Sequence, residues 1–568
     1  MKDAAARLHA LFKDEWEITM RENPEFASTL GERRYNDRWT DLSLAAFERR
    51  NAHDQEVLKT LAGIPLAELT AADKLNYTLF RKQYEESVEG FPFHRHLLAL
   101  NHMSGIQTAN ELGDQLRFAT VNDYEDWLTR LRSFPVNMDQ TIVLLRQGME
   151  EGLIHPKIIM ERVPAQIEKQ IVDDPAQSLF FKPFKEFPET INAAERERLT
   201  AAAKKAITEA LVPAYRKLLV FFTKEYLPKC PERTGAYLWP RGGEMYAFLV
   251  RSNTTTNLTP EQIHEMGQRE VKRIHAEMEK IIAQAGFKGT FEEFLHFLRT
   301  DPQFYYKDPK ELLAAYRALS KRIDPELIKL FGKLPRIPYG VEPIPDNIAP
   351  DTTTAYYRGP AADGSRAGTY FVNLYKPEVR PKYEMEALSM HESVPGHHLQ
   401  IALAMELGEL PEFRRYGGFT VFVEGWGLYA ESLGGELGFY KDPYSKFGQL
   451  TYEMWRAVRL VVDTGMHRMG WSRQQAIDFF KANAAKTEQD IVNEIDRYIA
   501  DPGQALAYKI GELKIKELRA RASKELGEKF DVRAFHDAVL SSGAIPIDVL
   551  EMNISAWIAE QKKAAASR

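Results

Sequence analysis

The stretch HESVPGHH, residues 391–398, lies inside a longer segment, 384–409, with the apolar spacing of a helix. It sets a histidine beside a glutamate and brings two more histidines six and seven positions after the first. Two imidazoles on one helix face can hold a metal ion, and an adjacent glutamate can act as a base. The central proline lacks an amide hydrogen and clashes with the preceding turn. The stretch therefore predicts a distorted helix that carries a metal site.

The spacing of the histidines departs from the usual four residues between two ligands on a helix. Six residues turn a regular helix by about 600°, which leaves His397 about 120° away from His391. His398 returns to the same face but lies about 10.5 Å along the axis. A bulge at Pro395-Gly396 that absorbs two residues would bring His397 one turn from His391. We predict His391 and His397 as ligands, with His398 as the alternative second ligand.

Farther along the chain, the stretch FVEGWGLYAE, residues 422–431, predicts the third ligand. Catalytic zinc sites usually have three protein ligands and one open position. Glu424 is the candidate, and Gly425 and Gly427 would let another helix approach closely. Glu431 lies seven residues on, on the same face, and is expected either to orient a histidine through its second ring nitrogen or to be a surface charge.

Later helices add candidate residues of other kinds. Tyr508 is a candidate donor of a hydrogen bond to the oxyanion of a tetrahedral intermediate, and His467 is a second one. Arg456 and Arg459 follow Trp455 at helical spacing, and the pair would clamp a substrate carboxylate. The ordinary alternatives are a core tyrosine, a satisfied or exposed histidine, and salt bridges along a helix face.

Helical periodicity dominates the chain outside these motifs. Helical patterns fall at 193–229, 259–285, 308–332, 420–437, 443–468, 472–484, 503–526 and 545–562. The exception is 335–383, rich in proline and glycine, where 368–375 (GTYFVNLY) has the composition of a strand. We predict a mainly α protein, a large helical body around a deep cleft with a small β element near 335–383. It would be a single domain, 1–568, which can divide into lobes 1–245 and 246–568.

Composition excludes several classes of function. The 75 basic and 81 acidic residues are mixed along the 568-residue chain, so its net charge of −6 offers no attraction for nucleic acid. One cysteine, Cys230, excludes an intramolecular disulfide and a thiolate metal cluster. No apolar run approaches the roughly 18 to 20 residues that span a bilayer. The first residues lack the apolar core of a secretory signal. We expect a cytoplasmic protein, or a periplasmic or secreted one if a signal has been removed; composition leaves the oligomeric state open.

The segments His391 through Gln400 and Phe422 through Glu431 resemble the bacterial family known as domain of unknown function 885. The resemblance extends over most of the chain and includes the stretches GTYFVNLY and PGQALAY. More distantly, the chain is similar to the helical zinc peptidases related to angiotensin-converting enzyme and thimet oligopeptidase. The resemblance therefore implies a zincin-like helical fold.

The resemblance also implies roles for particular residues. Zn²⁺ would be held by His391, His397 and Glu424, because Gly396-His397 and the Phe-x-Glu context match those peptidases. Glu392 would deprotonate the bound water, and a tyrosine on a late helix, here Tyr508, would stabilise the transition state. The two additional residues between the histidines depart from the pattern, although dipeptidyl peptidase III, with one extra residue, tolerates such an insertion.

Those peptidases further imply an edge strand that pairs with the substrate backbone. The stretch 368–375 is the candidate, with Tyr370 and Val372 as substrate-binding residues. We therefore expect a gluzincin-like metallopeptidase that hydrolyses short peptides through a metal-activated water, including a carboxypeptidase mode. Two alternatives stay open, a metal-dependent hydrolase of a non-peptide amide and a non-catalytic peptide-binding protein.

Overall fold

A computed structural model describes residues 2–346, 349–351, 353–362, 364, 366–408 and 410–566. Helices make up 71% of it, and a three-stranded sheet is the β element, so the mainly α prediction is confirmed. The α-helices are α1 Lys2–Glu22, α2 Pro24–Thr29, α3 Leu44–Ala62, α4 Ala71–Gly90, α5 Val121–Glu151, α6 Lys157–Met160, α7 Val163–Glu168, α8 Ala193–Ala206, α9 Val212–Phe221, α10 Gly242–Thr254, α11 Pro260–Gln284, α12 Phe291–Thr300, α13 Pro309–Ile323, α14 Met385–Glu392, α15 His397–Glu406, α16 Glu412–Arg415, α17 Thr420–Ser432, α18 Pro443–His467, α19 Arg473–Asn483, α20 Glu488–Ala500, α21 Ala507–Leu526, α22 Val532–Leu540 and α23 Ile547–Ala566.

The chain forms two compact units. The first contains residues 1–245, 361–363 and 411–413, and the second contains 246–360, 364–410 and 414–568. In the first unit, apolar side chains of α1, α3 and α4 form a buried cluster, and α5 packs against α8 and α9. The second unit contains all the residues of the candidate site.

Helix α18 is the central helix of the second unit. Its residues 447–467 are buried on all faces, because α11, α14, α19, α20 and α21 pack around it. Polar side chains on such a helix need partners inside the protein. The Asp463 carboxyl group lies 2.5 Å from the hydroxyl of Tyr246 and 3.2 Å from the amide nitrogen of Gly503, which both donate to it. Burial raises the pKa of Asp463 to about 7.

The predicted strand within 368–375 forms as the central strand of the sheet. This strand, β3 (Gly368–Val372), pairs in parallel with β1 (Tyr339–Pro343) and antiparallel with β2 (Ala355–Arg358). The expectation that 368–375 offers an edge to a substrate is therefore wrong, because both edges of β3 are already hydrogen-bonded within the sheet. In the described part of the chain, β2 has a neighbouring strand on one side only.

The helices predicted in the second unit form at the predicted places apart from a break within 384–409, and further helices form that were not predicted, among them α12, α20 and α22. Helix α20 is not among the predicted helices, yet its signals are present in the sequence. The side chain of Thr487 accepts a hydrogen bond from the amide of Asp490 and caps the first turn. Ile491, Ile495 and Ile499 then follow one another every four residues and are all buried. This helix contributes two charged residues to the candidate site.

Candidate metal centre

The segment predicted as one distorted helix over 384–409 forms two helices, α14 and α15, separated by residues 393–396. The distortion is thus a complete interruption rather than a bulge inside one helix. The Gly396 backbone comes so close to the end of α14 that a Cβ there would lie 2.0 Å from the carbonyl oxygen of His391. The indole of Trp426 donates a hydrogen bond to the carbonyl oxygen of Pro395 at 2.8 Å. Together these contacts fold the start of α15 back onto the end of α14.

Helix α17 packs closely against its neighbours because of two glycines. A Cβ at Gly427 would lie 2.8 Å from a ring carbon of His391. A Cβ at Gly425 would lie 2.5 Å from the Cα of Gly511 on α21. The close approach that the sequence predicts at these two glycines is confirmed, and it brings the carboxylates of α17 within reach of the histidines.

Three potential metal ligands, His391, His397 and Glu424, meet at one point, with one donor atom from each within 4.8 Å of the others. Both histidine Nε2 atoms lie 3.5 Å from the same oxygen of Glu424, Oε2. This distance exceeds that of a good charged hydrogen bond, and Oε2 is buried without a hydrogen-bond partner. Ligands of a tetrahedral zinc ion at about 2.0 to 2.2 Å lie about 3.3 to 3.6 Å apart. The three donors therefore fit a divalent metal ion better than a hydrogen-bonded cluster.

The electrostatic environment of the three donors favours a positively charged group. Nδ1 of His391 lies 2.7 Å from Oε1 of the fully buried Glu431, and Nη2 of Arg456 lies 3.4 Å from the same oxygen. Burial alone would lower the pKa of His391, but the neighbouring carboxylates of Glu424 and Glu431 outweigh burial and raise it to about 9. Burial alone would raise the pKa of Glu424, but His397 and His391 outweigh it and hold this pKa well below its usual value.

His398, the alternative second ligand, does not share this point. Its Nδ1 lies 2.8 Å from the hydroxyl of Tyr357, and its Nε2 lies 3.0 Å from the carbonyl oxygen of Ile337. Both ring nitrogens are thus engaged elsewhere, and burial lowers the pKa of His398 to about 4. Of the two adjacent histidines, it is His397 that the fold turns toward His391.

A cavity of about 280 Å³ opens beside the three donors. Its lining comprises Thr353, Thr354, Ala355, Tyr356, Tyr357, Leu388, His391, Glu392, His397, Glu424, Tyr452, Trp455, Arg456, Arg459, Glu494, Arg497 and Tyr508. The ring of Tyr508 lies nearly parallel to that of His391, with centroids 6.3 Å apart. Burial raises the pKa of Tyr508, so its hydroxyl keeps its proton at neutral pH. The fold therefore brings Glu392, Tyr508 and Arg456 into one cavity with the three donors.

Three residues expected at the site are not among those that line this cavity. His467 is buried, with Nε2 at 2.9 Å from the carbonyl oxygen of Tyr498, and burial lowers its pKa to about 4. Tyr370 and Val372 are fully buried in the central strand β3. Core packing accounts for the positions of all three, and the sheet instead contributes residues 353–357, in and before β2, to the cavity.

The cavity also contains residues that sequence reasoning missed. Glu494 and Arg497 come from α20, and Tyr452 comes from α18. The pair on α20 has the spacing of a helical ion pair, but that spacing is common on solvated helices. Only the packing of α20 against α18 turns these charges toward a cavity.

Comparisons with known proteins agree with this fold. The chain is similar to a solved structure titled "The crystal structure of the putative lipoprotein from Colwellia psychrerythraea", with a TM-score of 0.92, 27% identity, and coverage of 98% of this chain and 99% of that one. It shares its fold with a structure titled as a putative lipoprotein of unknown function from Shewanella oneidensis, with a TM-score of 0.71, 18% identity, and coverage of 97% and 99%. No curated protein matches the chain.

The matches named above do not include a zinc peptidase, so that more distant similarity stays a prediction. The family model described as "Bacterial protein of unknown function (DUF885)" matches residues 24–554. This range contains the motifs at 391–400 and 422–431 on which the predicted family resemblance depends. The chain therefore belongs to the bacterial family DUF885.

Proposed function

We propose that this protein is a metal-dependent hydrolase, a zinc peptidase that cleaves short peptides. One observation carries the proposal: His391, His397 and Glu424 converge beside a cavity that Glu392 and Tyr508 also line. Three nitrogen and oxygen donors with open space beside them are typical of a catalytic zinc site, whereas structural zinc sites are closed by four protein ligands.

The residues around the donors have the properties that amide hydrolysis requires. A zinc ion held there would polarise a peptide carbonyl group and make water more acidic. Glu392 would take a proton from the water whose oxygen attacks the carbonyl carbon, and would pass it to the amine nitrogen as the C–N bond breaks. Tyr508 would donate a hydrogen bond to the carbonyl oxygen as negative charge develops on it. The products are a carboxylate and a protonated amine, which carries both protons of the water, and Glu392 ends ionised as it began.

The walls of the cavity favour an extended peptide over other amides. Residues 353–357 line it, and the strand they lead into, β2, has an edge without a partner strand in the described part of the chain. Such an edge can form main-chain hydrogen bonds with an added strand. The volume of about 280 Å³ lies just below the usual range of ligand sites. A short peptide segment therefore suits the site, and a folded protein does not.

The titles of the two solved structures bear on where the chain acts. Both name a "putative lipoprotein", which supports an exported protein over the cytoplasmic one expected from the first residues. Within the described residues, no helix is long and apolar enough to cross a bilayer. Fractionation of the native host with an antibody to the chain tests this, and recovery in the cytoplasmic fraction would contradict export.

The proposed activity is tested with Glu392→Gln, which keeps the shape of the side chain and removes its basicity. Protein purified without chelator is analysed for bound metal, and hydrolysis of a short peptide library is followed by mass spectrometry. We expect one zinc per chain in both proteins and a loss of at least about 100-fold in rate for the variant. The matched control is Glu378→Gln, a change of the same charge at an exposed position before α14.

Each alternative has its own outcome in this experiment. Turnover of small amides without turnover of peptides would indicate the non-peptide hydrolase. Peptide binding without turnover, with or without metal, would indicate the binding protein. Equal rates in Glu392→Gln and the unaltered chain would remove the glutamate from the reaction.

A further inference from the structure

One end of the cavity is rich in positive charge. Arg456 and Arg459 come from α18 and Arg497 comes from α20, and all three line the cavity. Glu494 lies 3.0 Å from Arg459 and 3.4 Å from Arg497. Burial alone would raise the pKa of Glu494, but these two arginines outweigh it and lower the pKa to about 2. One ionised carboxylate is thus shared by two guanidinium groups.

The third arginine has no carboxylate of its own either. Arg456 lies 3.4 Å from Glu431, and the same oxygen of Glu431 is 2.7 Å from Nδ1 of His391. A zinc ion would add two further positive charges to the cavity. The charges therefore favour an anionic ligand once the metal is bound.

Three buried polar atoms of the residues at this end lack hydrogen-bond partners. They are Nη1 of Arg459, Nε of Arg456 and the hydroxyl of Tyr452. Each of these side chains is more than nine-tenths buried, and each of the residues lines the cavity. Buried donors without a partner are rare in native proteins and call for an explanation. The ion pairs of these arginines do not account for them, because Arg456 and Arg459 reach their carboxylates through Nη2.

The guanidinium group of Arg459 is held in place by its surroundings. Its Nε donates to the hydroxyl of Tyr498 at 2.7 Å. Its Cζ lies 4.3 Å from the ring centre of Tyr508 and 4.8 Å from that of Trp455. Stacking on aromatic rings fixes the plane of a guanidinium group and leaves its edge free for a planar partner such as a carboxylate.

Tyr508 sets the distance between the cationic end and the metal centre. Its ring centre is 6.3 Å from that of His391 and 4.3 Å from Cζ of Arg459. The sum of these two distances is the upper limit on the separation between Cζ of Arg459 and the ring centre of His391. An extended peptide advances about 3.3 to 3.6 Å per residue. The separation thus allows no more than about three residues between a carbonyl at the metal and an anion at the arginines.

We propose that Arg456, Arg459 and the hydroxyl of Tyr452 bind the free C-terminal carboxylate of a peptide that is cleaved within about three residues of its end. The proposal rests on the function proposed above and narrows its substrates to peptides with an unblocked C-terminus. The carboxylate would accept hydrogen bonds from the three unpartnered donors, and its charge would offset the positive charge of the arginines and the metal.

Equilibrium binding tests the proposal without depending on turnover. The zinc-loaded Glu392→Gln protein is titrated calorimetrically with three probes: tri-alanine with a free C-terminus, tri-alanine amide, and the amide of Ala-Ala-Glu. We expect the free acid to bind at least about 100-fold more tightly than tri-alanine amide, because the amide leaves buried charged donors unpaired. The third probe carries its carboxylate on a side chain, and tight binding of this amide alone would overturn the C-terminal assignment.

Variants then locate the carboxylate. In the Glu392→Gln background, Arg459→Gln should bring the ratio of acid to amide affinity close to one, and Arg459→Lys, which keeps the charge without the planar fork, should give an intermediate ratio. The control is Arg468→Gln, which should leave the ratio unchanged. Arg468 is exposed, directly follows α18 and pairs with Glu261. If Arg459→Gln does not fold, the ratio in Arg459→Lys decides.

The outcomes separate this inference from the proposed function. Equal binding of acid and amide overturns the C-terminal carboxylate site, even if the protein hydrolyses peptides. An acid preference that persists in both Arg459 variants also overturns it. If the Arg459 variants lose the preference for the free acid and the unaltered protein hydrolyses no peptide or amide, the carboxylate site is supported and the hydrolase function is refuted.

Discussion

Replacement of Glu431 by glutamine should weaken zinc binding although Glu431 is not one of the three donors. Glu431 Oε1 lies 2.7 Å from Nδ1 of His391, and the side chain is fully buried. Glutamine retains an oxygen that accepts this hydrogen bond, so the orientation of the imidazole is kept. The substitution removes one negative charge next to Nδ1 of the ligand His391. A carboxylate that accepts a hydrogen bond from a metal-binding histidine raises the basicity of that histidine.

The expected loss of zinc affinity follows from the distance between the Glu431 carboxylate and the metal ion. The imidazole ring and the metal–nitrogen bond add about 4 Å to the 2.7 Å contact, which places the carboxylate about 7 Å from the ion. At an effective dielectric constant of about 20, a unit charge and a dication at that distance attract by about 5 kcal/mol. Arg456, 3.4 Å from the same oxygen, offsets part of this attraction. We therefore expect zinc affinity to fall by about 10- to 100-fold, the range found for such outer partners.

Competition with a chelator of known affinity measures this change, and thermal unfolding with and without zinc provides an independent value, because a ligand stabilises the folded state by an amount that rises with the logarithm of its affinity. The matched control is Glu436→Gln on the same segment, where the carboxylate is exposed and pairs with Arg519. Equal zinc affinity in Glu431→Gln and the unaltered protein, with the apoprotein folded in both, would refute the proposed orientation of His391 toward a metal.

Three further changes test other parts of the structure. His397→Ala should lower zinc affinity by at least about 100-fold, whereas His398→Ala should change it by less than about 10-fold; the reverse order in a chelator competition would contradict the assignment of the second donor. Tyr508→Phe should lower kcat by about 100- to 1000-fold with zinc affinity unchanged, and steady-state kinetics that show full activity would remove its hydroxyl from the reaction. Asp463 has an ordinary pKa of 3.8 and a folded pKa of about 7, so the folded protein holds a proton that the unfolded chain releases between these values. Stability should therefore fall by about 1.4 kcal/mol per unit as pH rises through this window, and urea unfolding should show that Asp463→Asn lacks this dependence; equal slopes in both proteins would contradict it.

Local patterns in the sequence predicted the features that depend on local physics. The helical class follows from apolar periodicity, and the strand at 368–372 follows from β-branched and aromatic composition. The break at Pro395-Gly396 follows from the missing amide hydrogen of proline. Close helix contact at Gly425 and Gly427 follows from their lack of a side chain.

The amino-acid sequence alone determined that this protein is mainly helical and that its histidine motif is interrupted. It also identified the motifs at 391–398 and 422–431 that contain the candidate metal ligands. Only the tertiary structure decided that His397 rather than His398 faces His391, because the rotation of α15 depends on how a four-residue break is packed. It also decided that β3 is central and β2 is at the edge, since strand order depends on pairing between distant segments. The arginine cluster arises in the same way, from α18 and α20 packing side by side. Periodicity predicts which face of an element is buried, but the partner that covers that face is selected by long-range packing.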